Sequence, residues 1–497
     1  MMIHSLLAIL AGLLLGIPFK FPSLALLAWV GLIPFLFALE GENKKRSFYL
    51  GWIMGLSFLA ISSYWLVNPL INFSGYPLAI CILIFILAIS ILSLYFALFA
   101  FILKTVESKL SLAVFIVVPI VWTAVEFLRS IFSFQFLFAF LAYSQSFIPE
   151  LIQLAEYGGL YLVTFIIVLV NTLLYLFIKK KNKSYGIIAI SIFVLVFSYG
   201  SLVLKQNNNI SKEVAIGIVQ PNIPQNIKMS SKHQREVVDK LLKLSSKELE
   251  QNDPDLLIWP ETAILRTYYK SRGFPYHLPK DTPLFIGGFA REGENLEKTL
   301  NSSFLFDENR RIVDRYSKNK LVPWGEYVPF PNLIPDIIES NLNHLTPGKE
   351  LNSFNYNKIT WVSPICSEVL NPFYVRDLYD QNDFMVNISN EAWFEESHAS
   401  LQVLQAVIFR AVEHRAPIVK VGNTGISGVI NQNGKVLIRT DIFETKTLTF
   451  NLAIPVRKET IYYKYGNVFG WTLLLITFFI LSKIYLERKE FLISSNK

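Results

Sequence analysis

The chain has 497 residues and a net charge of +8; 52% of its residues are hydrophobic and only 17% charged, against about 25% charged in soluble domains. The depletion is confined to the N-terminal two fifths and a short stretch near the end, which excludes an ordinary soluble protein and points to a membrane protein carrying a sizeable water-soluble domain. Two cysteines exclude a disulfide framework, and the modest positive charge reads as membrane-flanking Lys and Arg rather than a nucleic-acid surface.

In chain order, apolar blocks run over 3–17, 24–39, 48–67, 78–103, 112–128, 160–178, 187–204 and 468–484. A helix needs about 20 apolar residues to cross the hydrocarbon core, and most of these blocks qualify. The first two are short and are joined by Pro18-Phe19-Lys20-Phe21-Pro22, so a tight helical hairpin is expected there. The first block lacks the basic region of a signal peptide and reads as retained. Basic clusters occur at Lys44-Lys45-Arg46, at Lys104 with Lys109, at Lys179-Lys180-Lys181 with Lys183, and at Lys483, Arg488 and Lys489. With eight spans all four fall on one side, which the positive-inside rule makes cytoplasmic. The expected division is a seven-span transmembrane domain over 1–210, an extracytoplasmic domain over 211–457, and a final span with a cytoplasmic tail over 458–497.

The region 211–457 alternates strand and helix patterns. Strands are expected at 214–219, 255–259, 283–288, 302–306, 384–389, 418–421 and 429–430, with helices at 231–251 and 401–414. Such interleaving predicts one α/β domain. Polar residues stand at the ends of several predicted strands, where α/β folds usually place their sites. Glu261 follows Trp259-Pro260, Lys318 lies in Tyr316-Ser317-Lys318, and Cys366 ends the run Val362-Ser363-Pro364-Ile365. A thiol is a weak nucleophile until its proton is taken, and a carboxylate in a dry pocket can take it. An ammonium nearby lowers the thiol pKa and stabilises the oxyanion of a tetrahedral intermediate. Separately, each residue has a plain structural alternative: Glu261 near a helix N-terminus, Lys318 as a solvated charge, Cys366 as core.

Three segments together carry more. Trp-Pro-Glu at 259–261, Tyr316-x-Lys318-x-x-Leu321-Val322-Pro323-x-Gly325-Glu326, and Ile365-Cys366-x-Glu368 resemble the Glu-Lys-Cys site of the nitrilase superfamily. Asn387-Ile388-Ser389-Asn390-x-Ala392-Trp393-Phe394 and the segment from Arg410 and Glu413 to Asn423-Thr424-Gly425-Ile426-Ser427 extend the likeness. A domain of this kind set between seven spans and one resembles the apolipoprotein N-acyltransferase family. So does Pro119-x-x-Trp122-x-x-x-Glu126-x-x-Arg129 in the membrane part.

The resemblance implies a nitrilase-like αββα sandwich joined to an eight-helix transmembrane domain. It implies Glu261 as general base, Cys366 as acyl-carrying nucleophile, and Glu326 and Glu368 as supporting acids. Lys318 becomes the oxyanion stabiliser, chosen over Lys320 because it lies eight residues before Glu326. The implied reaction moves an sn-1 acyl chain from a phospholipid, expected to be phosphatidylethanolamine, through a Cys366 thioester. The acceptor is the α-amine of a diacylglyceryl-modified N-terminal cysteine on an apolipoprotein. No cofactor is implied. The six histidines show no ligand-spaced pair for a metal, and no nucleic-acid pattern stands out. The implied location is a bacterial inner membrane, with the catalytic domain on the periplasmic side.

Segments 265–269 and 330–338 are expected to act as mobile lids over a lipid entrance. The sequence departs from the family pattern at Met229, Ser367, Glu391 and Asn467. Two other readings remain open: a membrane-anchored nitrilase-type amidase acting on small amides, and a non-catalytic lipid-binding or transport protein. For Glu126 and Arg129, a structural pair is weighed against a transport site.

Overall fold

The computed structural model describes all residues except 1, 108–113, 133–134, 207–208, 266, 269–272, 294–295, 330–344 and 496–497. The chain divides into two compact units, Met1–Gln206 with Thr460–Lys497, and Asn207–Glu459.

The first unit is helical. Among the described residues, six helices are long and apolar enough to cross a membrane: Met2–Phe19, Leu78–Glu107, Val114–Ile131, Ala155–Lys180, Lys183–Lys205 and Val468–Glu487. The third apolar block forms a pair, Lys44–Ser62 and Tyr64–Asn72, bent by 67°. The second block does not form the continuous helix expected of a hairpin arm. It holds a 3-10 helix over Pro22–Trp29 and a six-residue helix over Ile33–Ala38, parted by a turn at Val30, Gly31 and Leu32, with Pro34 in the first turn of the second helix. Backbone groups left free in an apolar setting must find partners. Asn171 accepts from the Leu32 N–H at 2.9 Å and donates to the Ala28 carbonyl at 2.9 Å. Gln145 donates to the Ala25 carbonyl at 2.9 Å. Elsewhere small residues let helices touch. A Cβ on Gly51 would sit 2.4 Å from the Phe96 carbonyl oxygen, a close approach typical of membrane helix packing.

The second unit is built on two sheets. In chain order its strands are β1 (Ile210–Gln220), β2 (Leu256–Ile258), β3 (Thr267–Tyr268), β4 (Leu284–Glu292), β5 (Lys298–Phe306), β6 (Ile312–Ser317), β7 (Phe354–Tyr356), β8 (Ile359–Val362), β9 (Phe384–Ser389), β10 (Ile418–Gly422), β11 (Gly428–Ile430), β12 (Val436–Arg439) and β13 (Lys446–Pro455). One sheet has the order β13-β1-β2-β4-β5-β6, with β3 on β4; the other runs β12-β11-β10-β9-β8-β7. Each has a parallel centre, β1-β2-β4 and β8-β9-β10, flanked by antiparallel strands.

The sheets face each other through aromatic rings. Phe285 of β4 meets Phe354 and Trp361 at 4.9 and 5.8 Å. Helix Gln234–Gln251 covers the outer face of the first sheet. Its Val237, Val238, Leu241 and Leu249 pack with Leu257, Trp259, Leu284 and Ile286. Trp259 Nε1 also donates to Ser245 Oγ at 2.9 Å. Helices Pro372–Tyr379 and Ala399–His414 lie on the second sheet. The result is the expected αββα sandwich. Its parallel strands all deliver their C-terminal ends to one edge, where the chain turns through polar residues.

Candidate active site

Two of those turns, with the turn after the antiparallel β6, bring Glu261, Cys366 and Lys318 together. Glu261 follows β2. Its carboxylate accepts from Asn301 Nδ2 at 2.7 Å on one oxygen and from the Asn390 N–H at 2.7 Å on the other. The turn is tight: Thr262 takes a left-handed backbone, φ 42°, and a Cβ on Gly287 would lie 2.6 Å from Glu261 Cα. Only glycine admits that approach.

Lys318 follows β6 and is 1% exposed, whereas Lys320 is exposed and stacks over Tyr374. The Lys318 ammonium lies 2.8 Å from Glu326 and 3.8 Å from Glu261. Burial drags its pKa down, but the Glu326 and Glu261 carboxylates outweigh burial and hold it above the ordinary lysine value. Lys318 is therefore a fixed cation at neutral pH.

Cys366 follows β8 at the start of the 3-10 turn Cys366–Leu370, half-buried, with φ 52°. A non-glycine residue in that region is held there by its surroundings at a cost of about 1–3 kcal/mol. Asn387 of β9 supplies part of the hold, donating to the carbonyls of Pro364 at 2.7 Å and Cys366 at 3.2 Å. Burial, then the Glu261 carboxylate, push the thiol above its usual value, and Lys318 pulls the other way.

Glu326 and Glu368 organise the ammonium and the thiol. Glu326 binds Lys318 and also accepts from Asn301 Nδ2 at 3.2 Å and the Val322 N–H at 2.8 Å. Glu368 is fully buried. One of its oxygens accepts from the N–H groups of Asn319 and Lys320 at 2.7 and 2.9 Å. The other accepts from the Ile365 N–H at 2.8 Å and the Tyr316 hydroxyl at 2.7 Å. One carboxylate thus ties the lysine loop to the residue before the thiol. Burial lifts its pKa to about 7.

Asn301 bridges two of the carboxylates and has no local sequence signature, one of several polar residues on β5. Lys228, 1% exposed, donates to the Glu261 carbonyl at 2.7 Å. Asn390 reaches Gln225 at 2.8 Å. The departures from the family pattern lie around this core. Met229 is 39% exposed, and Ser367 is half-buried beside the thiol. Glu391 is buried in an ion pair with Lys420 and accepts from Ser389 Oγ at 2.8 Å. Asn467, in the helical unit, accepts from the Tyr462 hydroxyl at 3.3 Å. Of the two lid segments, 330–338 lies outside the described residues. In the other, Thr267–Tyr268 forms β3 beside β4.

A carboxylate, an ammonium and a thiol at the strand ends of an αββα sandwich define a nitrilase-type domain, here carried by a chain with several membrane-length helices. A carbon-nitrogen hydrolase family model matches residues 215–462, and the model of the apolipoprotein N-acyltransferase N-terminal domain matches 11–173. An apolipoprotein N-acyltransferase of Geobacter metallireducens is 30% identical over 484 residues, covering 94% of this chain and 92% of that one. One from Aquifex aeolicus is 28% identical, covering 89% and 98%. A solved nitrilase-superfamily amidase from Nesterenkonia matches 52% of this chain and 95% of its own at 15% identity, with a TM-score of 0.36. The chain belongs to the apolipoprotein N-acyltransferase family and is a multi-pass membrane enzyme of the nitrilase superfamily.

Proposed function

We propose that the protein transfers the sn-1 acyl chain of a phospholipid, with phosphatidylethanolamine as donor, to the α-amine of a diacylglyceryl-modified N-terminal cysteine on an apolipoprotein. Family membership over nearly the whole chain supports this reading. The observation that carries it is the buried Lys318 ammonium held 2.8 Å from Glu326 and 3.8 Å from Glu261, at the strand ends where Cys366 also stands.

In the first half, Glu261 accepts the Cys366 proton and the sulfur attacks the ester carbonyl. The Lys318 ammonium stabilises the resulting oxyanion, with a contribution of roughly 3–4 kcal/mol as for a single oxyanion donor. Collapse breaks the ester C–O bond, Glu261 returns its proton to the leaving alkoxide, and the lysophospholipid departs. In the second half the amine attacks the thioester, Glu261 takes the amine proton, and collapse forms the amide. The Cys366 sulfur leaves and recovers that proton. The kinetics are ping-pong.

The proposed arrangement keeps the catalytic unit, 211–457, on the extracytoplasmic side of a bacterial inner membrane, a side that the basic clusters support under an eight-span count. A reporter fused near Leu300 is expected outside the cytoplasm; a cytoplasmic reporter would refute that topology. The reaction itself is tested with labelled phosphatidylethanolamine and a diacylglyceryl peptide. Label is expected in an amide on the peptide. Release only as free fatty acid would support the hydrolase reading instead.

A further inference from the structure

The site contains a second buried lysine. Lys228 ends the short helix Gln225–Lys228, and its ammonium donates to the Glu261 main-chain carbonyl at 2.7 Å. The two segments are joined again through Gln234, which donates to the Lys228 carbonyl at 2.9 Å and accepts from the Leu265 N–H at 3.0 Å. Lys228 is therefore fixed against the Glu261 turn. Its partners differ in kind from those of Lys318. Lys318 has two carboxylates within 4 Å. Among the described residues, Lys228 has no carboxylate at ion-pair distance and one neutral acceptor.

We propose that Lys228 is a positioning residue whose charge, held against the Glu261 turn, sets how readily Glu261 takes the Cys366 proton. The inference rests on the acyl-transfer reading of this site. A nearby ammonium, even one beyond ion-pair distance, opposes protonation of a carboxylate. The titratable groups facing Lys228 are Glu261 and Cys366, with Glu261 the stronger influence. Lys318 and Glu326 stand behind Glu261. Loss of the Lys228 charge thus favours proton transfer from sulfur to carboxylate: the S–H bond breaks, the carboxyl O–H forms, and no electron is gained or lost. Burial lowers the Lys228 pKa to about 7, against the opposing pull of Glu261 and Cys366. The charge is present below that pH and lost above it.

The test uses the full chain and follows iodoacetamide alkylation of the Cys366 peptide by mass spectrometry from about pH 6 to about pH 8.5. Lys228→Arg keeps the charge throughout and Lys228→Met removes it throughout. The wild-type rate is expected to match Lys228→Arg within about twofold at the low end and to exceed it by about fivefold at the high end. The ratio of Lys228→Arg to Lys228→Met is expected to stay flat. A wild-type to Lys228→Arg ratio that does not change with pH would overturn the proposal, and this arm stands alone if Lys228→Met fails to fold. Alkylation needs no lipid. An intact alkylation pattern with no acyl adduct from labelled phosphatidylethanolamine would therefore sink the acyl-transfer reading and leave the coupling standing.

Discussion

Buried acid and base meet in both units, and the Glu261–Lys318–Glu326 cluster and the Glu126–Arg129 pair are built differently. In the sheet unit both oxygens of Glu261, Glu326 and Glu368 accept hydrogen bonds or ion pairs. In the helical unit Glu126 and Arg129 are buried but 3.9 Å apart. Glu126 accepts from the Leu141 N–H at 2.6 Å, while Arg129 donates to the Ala139 carbonyl and lies over the Phe140 ring. One Glu126 oxygen and Arg129 Nε have no hydrogen-bond partner among the described residues. They line a cavity of about 30 Å³, room for a water. A saturated network fixes side chains closely enough to direct a proton and an oxyanion. A loose pair serves packing, anchoring the 139–141 turn to its helix.

Substitutions separate the two kinds of burial. The largest effect is expected from Lys318→Ala, a loss of acylation of roughly 10²–10³-fold, against little change for the exposed Lys320→Ala. Equal loss at both positions would reverse the assignment.

Glu368→Gln comes next, at roughly tenfold in rate. The amide nitrogen cannot accept, so two of the four donors now satisfied by Glu368 lose their partner, at about 1–3 kcal/mol each. Glu368 also carries a pH signature. Its pKa is raised on folding, so the folded state holds this proton where the unfolded chain has released it. Stability from this group is greatest below the ordinary glutamate range and declines as pH rises toward about 7, by roughly 3 kcal/mol in all. Melting of the full chain at about pH 5 and about pH 8 is expected to show that decline in wild type and to show less of it in Glu368→Gln.

The smallest effect on rate is expected at the loose pair. Arg129→Lys should leave acylation within about twofold while lowering the melting temperature, because a lysine loses the planar contact with Phe140. A large rate loss with unchanged stability would move Glu126 and Arg129 into the functional machinery.

The sequence made some of this legible. Glu261 and Cys366 stand out because each follows an apolar run, and strand ends are where a parallel sheet releases its chain; Lys318, behind Asp314-Arg315-Tyr316-Ser317, stands out only through its motif and its spacing to Glu326. Their partners were harder to read. Asn301 meets Glu261 across 40 positions of chain, and Glu368 meets Asn319 across 49. No local pattern encodes contacts of that span. The break in the second apolar block has a local mark in Gly31 and Pro34, but its stabilisation by Asn171, 139 residues away, has none. Lys228 carries no local mark of a site residue. Its importance lies in its place against the Glu261 turn, 33 positions away in the chain, and a one-dimensional reading does not reveal that.

The central claim is that Cys366 carries the acyl chain, and its direct measurement is mass spectrometry of the Cys366 peptide after incubation with phosphatidylethanolamine and no acceptor. The account predicts a hydroxylamine-labile acyl mass on that peptide, absent in Cys366→Ala and lost from wild type when a diacylglyceryl peptide is added. An acyl mass that persists in Cys366→Ala, or none in wild type, would contradict it.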